Sequence, residues 1–229
     1  KMPEDKDTGQ WDEHDYEQYL RESDARTEKL MALFDRYEGH PDSEAIIARE
    51  MGWSISGEGE DPFREPGLEP LDSAKLRGPD PATEGVDWVR NEAGVAVHPL
   101  YLRCHRAGRA AWDAVDQMSE GVQNDPDISD FLCEFHLTTA RLAGALNGLP
   151  YGRDQSEPPF IVACLKRSLG HVDAAEAAAD RIGTRTLLPA AALDAAREAL
   201  AGIRQAILQL IREFRAARRG PDSGTETCS

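Results

Sequence analysis

Residues 187–219 carry a seven-residue apolar repeat, and this repeat constrains the fold more than any other feature of the chain. Large apolar side chains recur at one heptad position, and further apolar side chains recur at a second position between them. Side chains spaced in this way lie along one stripe of an α-helix, and that stripe must be buried against neighbouring helices. The two positions are occupied by Leu193, Leu200, Ile207 and Phe214, and by Ala196, Ile203, Leu210 and Ala217.

Three further helices are predicted between residue 98 and this last helix. Pro99 and Pro126 open the first two, because proline is tolerated in the first turn, and Asp125 is a favoured N-cap before Pro126. The short connections favour antiparallel neighbours, so we predict an up-and-down four-helix bundle at residues 98–219. The predicted helices span residues 99–119, 126–147, 158–182 and 187–219.

The N-terminal part of the chain has a different composition. A helical hairpin is predicted for residues 11–52, with Gly39 and Gly52 at the two helix ends. A Pro/Gly-rich connector follows, which we expect to pack on the bundle, and alternating residues in 86–97 predict a small β-hairpin. We expect an all-α fold in one globular domain. Its segments are a disordered N-terminus at 1–10, the hairpin at 11–52, the connector at 53–97, the bundle at 98–219 and a disordered tail at 220–229.

The charge of the chain is strongly negative and unevenly distributed. The formal net charge is −16, and residues 1–96 hold 25 acidic against 11 basic side chains. Repulsion from phosphate groups disfavours nucleic acids and anionic membrane surfaces as partners. No apolar run approaches the roughly 18 to 20 residues that cross a bilayer, and no secretory signal is recognisable at the start. We therefore expect a soluble protein.

The four cysteines indicate the compartment. Cys104, Cys133, Cys164 and Cys228 are far apart in sequence and form no CxxC pair. This distribution is more typical of reduced thiols than of a disulfide framework or a structural zinc site. A cytoplasmic location is predicted.

Motifs for metal or covalent chemistry are missing from the sequence. The chain has no HExxH and no Glu-x-x-His, the motif that repeats in carboxylate-bridged di-iron bundles. It also lacks a GxSxG nucleophile elbow and a glycine-rich phosphate loop without acidic residues. No metal or cofactor is predicted from motifs.

The best ligand-site candidate lies on the first bundle helix. His98, His105 and Trp112 are seven residues apart and share one stripe, and Arg109 lies one turn beyond His105. Such a stripe predicts a ligand-binding pocket between the helices and the connector. The alternative interpretation makes His105 a boundary residue and Trp112 part of the core. A mononuclear metal site that also uses His136, His171 or a carboxylate remains open.

Two weaker signals are also present. His171 follows Lys166 and Arg167, and an exposed imidazole beside cations is what a phosphorelay histidine requires. The carboxylate pairs Asp113 with Asp116 and Asp130 with Glu134 have helical neighbour spacing, but in so acidic a chain they indicate a solvated surface.

The function that these patterns favour is non-catalytic. We expect a helical interaction or regulatory module with an acidic N-terminal surface. The last helix is longer than its expected neighbours, so its extra turns need a cover, which is either the N-terminal hairpin or another chain. We predict a protein partner or a homodimer through this helix. The alternative is a metal- or small-ligand-binding bundle, an enzyme included, that uses His98, His105, Trp112 and residues from the facing helices.

Overall fold

The structure is a computed structural model, and it describes residues 11–53, 78–153 and 157–219. Within these ranges it contains seven α-helices and one two-stranded sheet, so the predicted all-α fold with a small β-hairpin is confirmed. No helix in this part of the chain combines the length and apolarity needed to span a membrane. The predictions of disorder at 1–10 and 220–229, and of a connector path through 54–77, lie outside the described residues.

The described residues divide into two compact units. The smaller comprises 17–53, and the larger comprises 11–16, 78–153 and 157–219. Helix α1 (Glu13–Arg36) contributes its first turn to the larger unit and its remaining turns to the smaller one.

The smaller unit is the predicted helical hairpin. The later turns of α1 and helix α2 (Ser43–Met51) bury Leu33 and Ile47. Gly52 ends α2 in the left-handed conformation, with φ of 72°, and the following Trp53 N–H donates to the Ala48 carbonyl at 2.8 Å. A glycine is favoured there because a side chain disfavours positive φ.

The larger unit is built on four long helices. They are α3 (Pro99–Asp116), α5 (Pro126–Leu146), α6 (Pro158–Arg185) and α7 (Ala190–Arg219), and the short α4 (Glu120–Gln123) precedes α5. Helices α3 and α6 each pack against both α5 and α7, which closes a four-helix ring. Contacts between the start of α5 and the end of α6, such as Asp127 with Arg181, show that these helices run antiparallel.

The boundary between α6 and α7 differs from the prediction. Helix α6 continues through Gly183 to Arg185, and Thr186 takes the left-handed conformation with φ of 54°. Gly183 instead lies against α7, where an added Cβ would come 2.8 Å from Arg197 Nη2 and 3.1 Å from Leu193 Cδ2. Helix α7 then begins after Pro189, since the residue before a proline is disfavoured in helical conformation.

The apolar stripe of α7 forms much of the core. Leu193, Leu200 and Ile207 are buried, as predicted, but near the C-terminal end the buried position moves from Leu210 to Ile211. A straight helix has 3.6 residues per turn, so a strict seven-residue pattern drifts by about 20° per heptad. The drift accounts for the half-buried Leu210 and the exposed Ala217.

The final turns of α7 contact the beginning of the same chain. The Glu13 carboxylate accepts hydrogen bonds from Arg215 Nε at 2.8 Å and Nη2 at 2.7 Å. Nearby, Trp11 and Tyr16 are buried, and the Tyr16 ring meets Phe160 edge-on, with centroids 5.4 Å apart. The end of the last helix is thus covered within a single chain.

The predicted β-hairpin is present before α3. Strands β1 (Val89–Arg90) and β2 (Ala96–Val97) are antiparallel, with Val89 opposite Val97. The Asn91 carboxamide oxygen accepts from the Val95 N–H at 2.9 Å and so closes the turn. Trp88 is buried and donates through Nε1 to the Asp80 carbonyl at 2.7 Å.

Candidate functional site

The four residues predicted to bind a ligand have different surroundings. His98 is buried and caps the N-terminus of α3, whereas His105, Arg109 and Trp112 are exposed along the outer side of that helix. The ring of His105 lies beside Tyr101, with centroids 6.0 Å apart. The structure therefore brings His105, Arg109 and Trp112 together on one face, and it places His98 in a separate polar cluster.

His98 starts helix α3 through its side chain. Its Nδ1 accepts a hydrogen bond from the Leu100 N–H at 3.1 Å, so Nδ1 carries no proton in this arrangement. Burial lowers the pKa of His98 to about 4; Asp87 and Glu213 act in the opposite direction, and Arg153 adds to the lowering. Neutral His98 is the form that this cap requires.

Asp87 and Arg153 form the ion pair of this cluster. The Asp87 side chain is only 1% exposed, and Arg153 holds it through Nε at 2.9 and 3.0 Å and through Nη2 at 2.6 Å. The pKa of Arg153 is raised, chiefly by its hydrogen bonds to Asp87. The same guanidinium lies over the Phe214 ring, 5.5 Å from its centroid. The pair therefore connects the residues just before β1 and the segment after α5 with the end of α7.

Sequence reasoning did not find this pair. Asp87 and Arg153 are 66 residues apart, so no local spacing connects them. The available signal was an acidic residue between Val86 and Trp88, because a carboxylate in an apolar stretch needs a buried partner.

Removing Arg153 tests the structural role of the pair. Arg153→Met is expected to lower the free energy of unfolding by about 1–3 kcal/mol, because it leaves the Asp87 carboxylate buried without its partner, while the partial exposure of Arg153 moderates the loss. Chemical denaturation measures the change. The matched control is Arg109→Met, whose exposed pair with Asp113 is worth about 0.5 kcal/mol or less. Equal effects of the two substitutions would contradict a buried role for Asp87.

The exposed face of α3 is basic and aromatic. Arg103, Arg106 and Arg109 follow one another at three-residue spacing, and no acidic residue occurs between Pro99 and Trp112. Trp112 is 56% exposed, which is unusual for the largest apolar side chain. We call Arg106, Arg109, His105 and Trp112 the α3 face.

The arginines of this helix make few strong contacts. Arg106 reaches Glu92, itself largely exposed, at 3.4 Å, and Arg109 Nε donates to Asp113 at 2.9 Å along the helix. Arg103 differs, since its Nη2 donates to the Gly202 carbonyl of α7 at 2.8 Å. Exposed pairs of this kind are weak. Arg106 and Arg109 are therefore the accessible cations of the α3 face.

The described residues contain no metal-ligand cluster, and the buried Cys104 is poorly suited to nucleophilic chemistry. Within residues 11–53, 78–153 and 157–219, no group of three or more His, Cys, Asp or Glu side chains is placed to hold a metal ion. Burial raises the pKa of the Cys104 thiol to about 11, against a hydrogen bond with Thr139 that lowers it. A thiol with so high a pKa is a poor nucleophile.

Known protein families, curated proteins and solved structures all give no match.

Proposed function

We propose that this protein is a non-catalytic helical interaction module that binds an acidic segment of another protein through the α3 face. The observation that carries the proposal is the exposure of Trp112 beside Arg106 and Arg109, on a helix that holds no acidic residue from Pro99 to Trp112. Aromatic and arginine side chains are enriched where protein interfaces concentrate their binding energy.

Charge supports an acidic partner. The chain as a whole has a net charge of −16, so a cationic face on it is a local exception. Such a face attracts acidic segments and orients them, whereas the surrounding negative charge repels other approaches. Nucleic acid fits less well, because a long polyanion would meet the acidic remainder of the protein.

The smaller unit supports a role in protein binding independently. Residues 17–53 hold nine acidic and five basic side chains. Met31 and Phe34, three residues apart on α1, are each more than half exposed. Exposed apolar pairs within a charged surface are typical of protein contacts. The acidic N-terminal surface expected from the sequence thus includes apolar side chains.

A homodimer through the last helix stays a prediction with less support. Ile207, Ile211 and Phe214 are buried within a single chain, and among the described residues of α7 no large apolar side chain is exposed. That helix offers a second copy little apolar area. The α3 face is the better surface for a partner.

The alternative function, a metal- or small-ligand-binding bundle, also remains a prediction. His98 and His105 would have to bind one ligand from a buried and an exposed position. Metal analysis of protein purified without a nickel column tests it, and stoichiometric metal lost on replacing His105 would overturn the non-catalytic proposal. A cytoplasmic location belongs to our proposal as well, since Cys104, Cys133 and Cys164 form no disulfide.

The α3 face can be tested with a simple acidic chain. A fluorescein-labelled polyglutamate peptide is titrated with the protein, and binding is followed by fluorescence anisotropy at low ionic strength. We expect the double variant Arg106→Glu with Arg109→Glu to weaken binding at least tenfold, and Trp112→Ala to weaken it about fivefold, a loss of roughly 1 kcal/mol. Added salt should weaken binding to the unmodified protein.

Arg212→Glu is the control for charge, with half the charge change of the double variant. Arg212 is exposed on α7 and hydrogen-bonds only to Gln209 among the described residues, so its reversal changes the net charge without touching the α3 face. It should change the affinity less than twofold. Equal weakening by Arg212→Glu and by reversals on α3 would indicate attraction by overall charge and would overturn the proposed site, as would the absence of binding.

A further inference from the structure

A histidine–glutamate pair joins α5 and α6 on the side of the bundle. His171 Nδ1 and Glu134 Oε2 lie 2.7 Å apart, and the two side chains are 24% and 27% exposed. The pair is neither in the buried cluster around His98 nor on the α3 face. It combines a short hydrogen bond with access to solvent.

The hydrogen bond determines which nitrogen of His171 can react. A carboxylate only accepts, so Nδ1 must donate its proton to Glu134. In the neutral imidazole the lone pair then lies on Nε2. Among the described residues, Nε2 has no hydrogen-bond partner. This is the arrangement of an oriented nucleophile, in which one ring nitrogen is held by a carboxylate and the other is available.

Two arginines lie on the same sides of α5 and α6 as this pair. Arg167 precedes His171 by four residues on α6, and Arg141 follows Glu134 by seven on α5, so each lies on the same side of its helix as the pair. Helices α5 and α6 are antiparallel, as the contact of Asp127 with Arg181 near the other ends of these helices also shows. Arg141 and Arg167 therefore lie at about the same level, one to two turns from His171.

The surroundings of the pair are exposed on one side and acidic on another. Gly170, which precedes His171 in the chain, is exposed and adds no side chain beside the imidazole. On the acidic side, Asp130 is held by Arg181 at 3.0 Å, which reduces its repulsion of an incoming anion.

We propose that His171 is a phosphoryl-acceptor histidine. Its Nε2 lone pair attacks the phosphorus of a donor with a reactive P–N or acyl-phosphate P–O bond. The new P–Nε2 bond forms as the donor bond breaks, and the leaving group takes the electron pair of that bond and, for an amine, a proton from water. The proton on Nδ1 stays hydrogen-bonded to Glu134, which offsets the positive charge that develops on the ring. Arg167 and Arg141 stabilise the transferred phosphoryl group.

The consequence would be regulatory. A phosphoryl group adds up to two negative charges between α5 and α6. It would draw Arg167 and Arg141 towards Nε2 and repel Glu134, and so change the surface that these helices present. This proposal does not depend on partner binding through the α3 face.

Phosphoramidate, a small P–N donor that phosphorylates histidine without an enzyme, provides the test. The protein is incubated with it at neutral pH, and acid-labile phosphohistidine is followed by ³¹P nuclear magnetic resonance and located by mass spectrometry. We expect His171 to be phosphorylated at least tenfold faster than His136, an exposed histidine on the neighbouring α5. Glu134→Gln should slow phosphorylation of His171 at least fivefold and leave His136 unchanged. His171→Asn should remove only the fast component.

The phosphorylated histidines are also located by mass spectrometry in the protein without substitutions, so the test does not depend on the folding of a variant. Equal rates at His171 and His136, or no modification of His171, would overturn the proposal. A loss of thermal stability in Glu134→Gln without any change in the phosphorylation rate of His171 would also overturn it, because the pair would then be a structural contact only. A double variant with Arg141→Gln and Arg167→Gln should slow the reaction without moving the position of the modification.

Discussion

Phe131→Ala is expected to lower the free energy of unfolding of the larger unit by about 3–5 kcal/mol, because it removes a large side chain from a site that cannot collapse fully. Phe131 is 0% exposed, and its ring meets Phe135 edge-on, with centroids 5.7 Å apart. The loss combines burial, cavity formation and this aromatic contact. Urea denaturation followed by circular dichroism measures it.

Phe34→Ala is the matched control because it removes the same atoms from a side chain that is 51% exposed on α1. Its effect on unfolding should stay below about 1 kcal/mol. An equally small effect of Phe131→Ala would contradict the position of Phe131 in the bundle core.

Lowering the pH from 7 to 4 is expected to cost about 3 kcal/mol of stability through His98 alone, since its pKa falls from 6.5 in the unfolded chain to about 4 in the folded one. As the pH falls below 6.5, the unfolded chain binds a proton at His98 that the folded chain does not bind. Stability is therefore lost between pH 6.5 and about 4, and the contribution becomes constant at lower pH. Charging His98 would also destroy its cap on Leu100.

His98→Asn isolates this contribution because asparagine can cap the helix and does not titrate. The free energy of unfolding of the variant should depend less steeply on pH between 6.5 and 4 than that of the unmodified protein. The control is His136→Asn, which replaces an exposed histidine and should leave the pH dependence of stability nearly unchanged. Parallel pH profiles for His98→Asn and the unmodified protein would show that His98 is not held neutral by the fold.

The helices were predictable because their signals are local. Pro99 and Pro126 open helices where expected, and the Asp125 side chain caps α5 by accepting from the Asp127 N–H at 3.0 Å. Errors arose where a residue had two possible uses. In the sequence Gly183 resembles the end of a helix, yet it lies within α6, where Arg197 of α7 packs against it. Only the position of α7 distinguishes these uses.

The candidate site was less predictable than the fold. Heptad spacing correctly predicts that His98, His105 and Trp112 lie along one stripe of the helix. It does not predict which of these side chains other segments of the chain bury. His98 lies at the end of α3 near Asp87 and Arg153, whereas Trp112 remains open to solvent. Likewise, spacing along α6 alone could not pair His171 with Glu134, which belongs to another helix.

The sequence by itself determined where most helices form, which stripe of each is apolar and how the charge is distributed, because these properties depend on neighbours three to seven residues apart. The tertiary structure decided which polar groups meet. The pair of Asp87 with Arg153, the contact of Glu13 with Arg215 and the pair of Glu134 with His171 join residues separated by 66, 202 and 37 positions. Such contacts depend on how the helices pack against one another, and no local pattern encodes that arrangement.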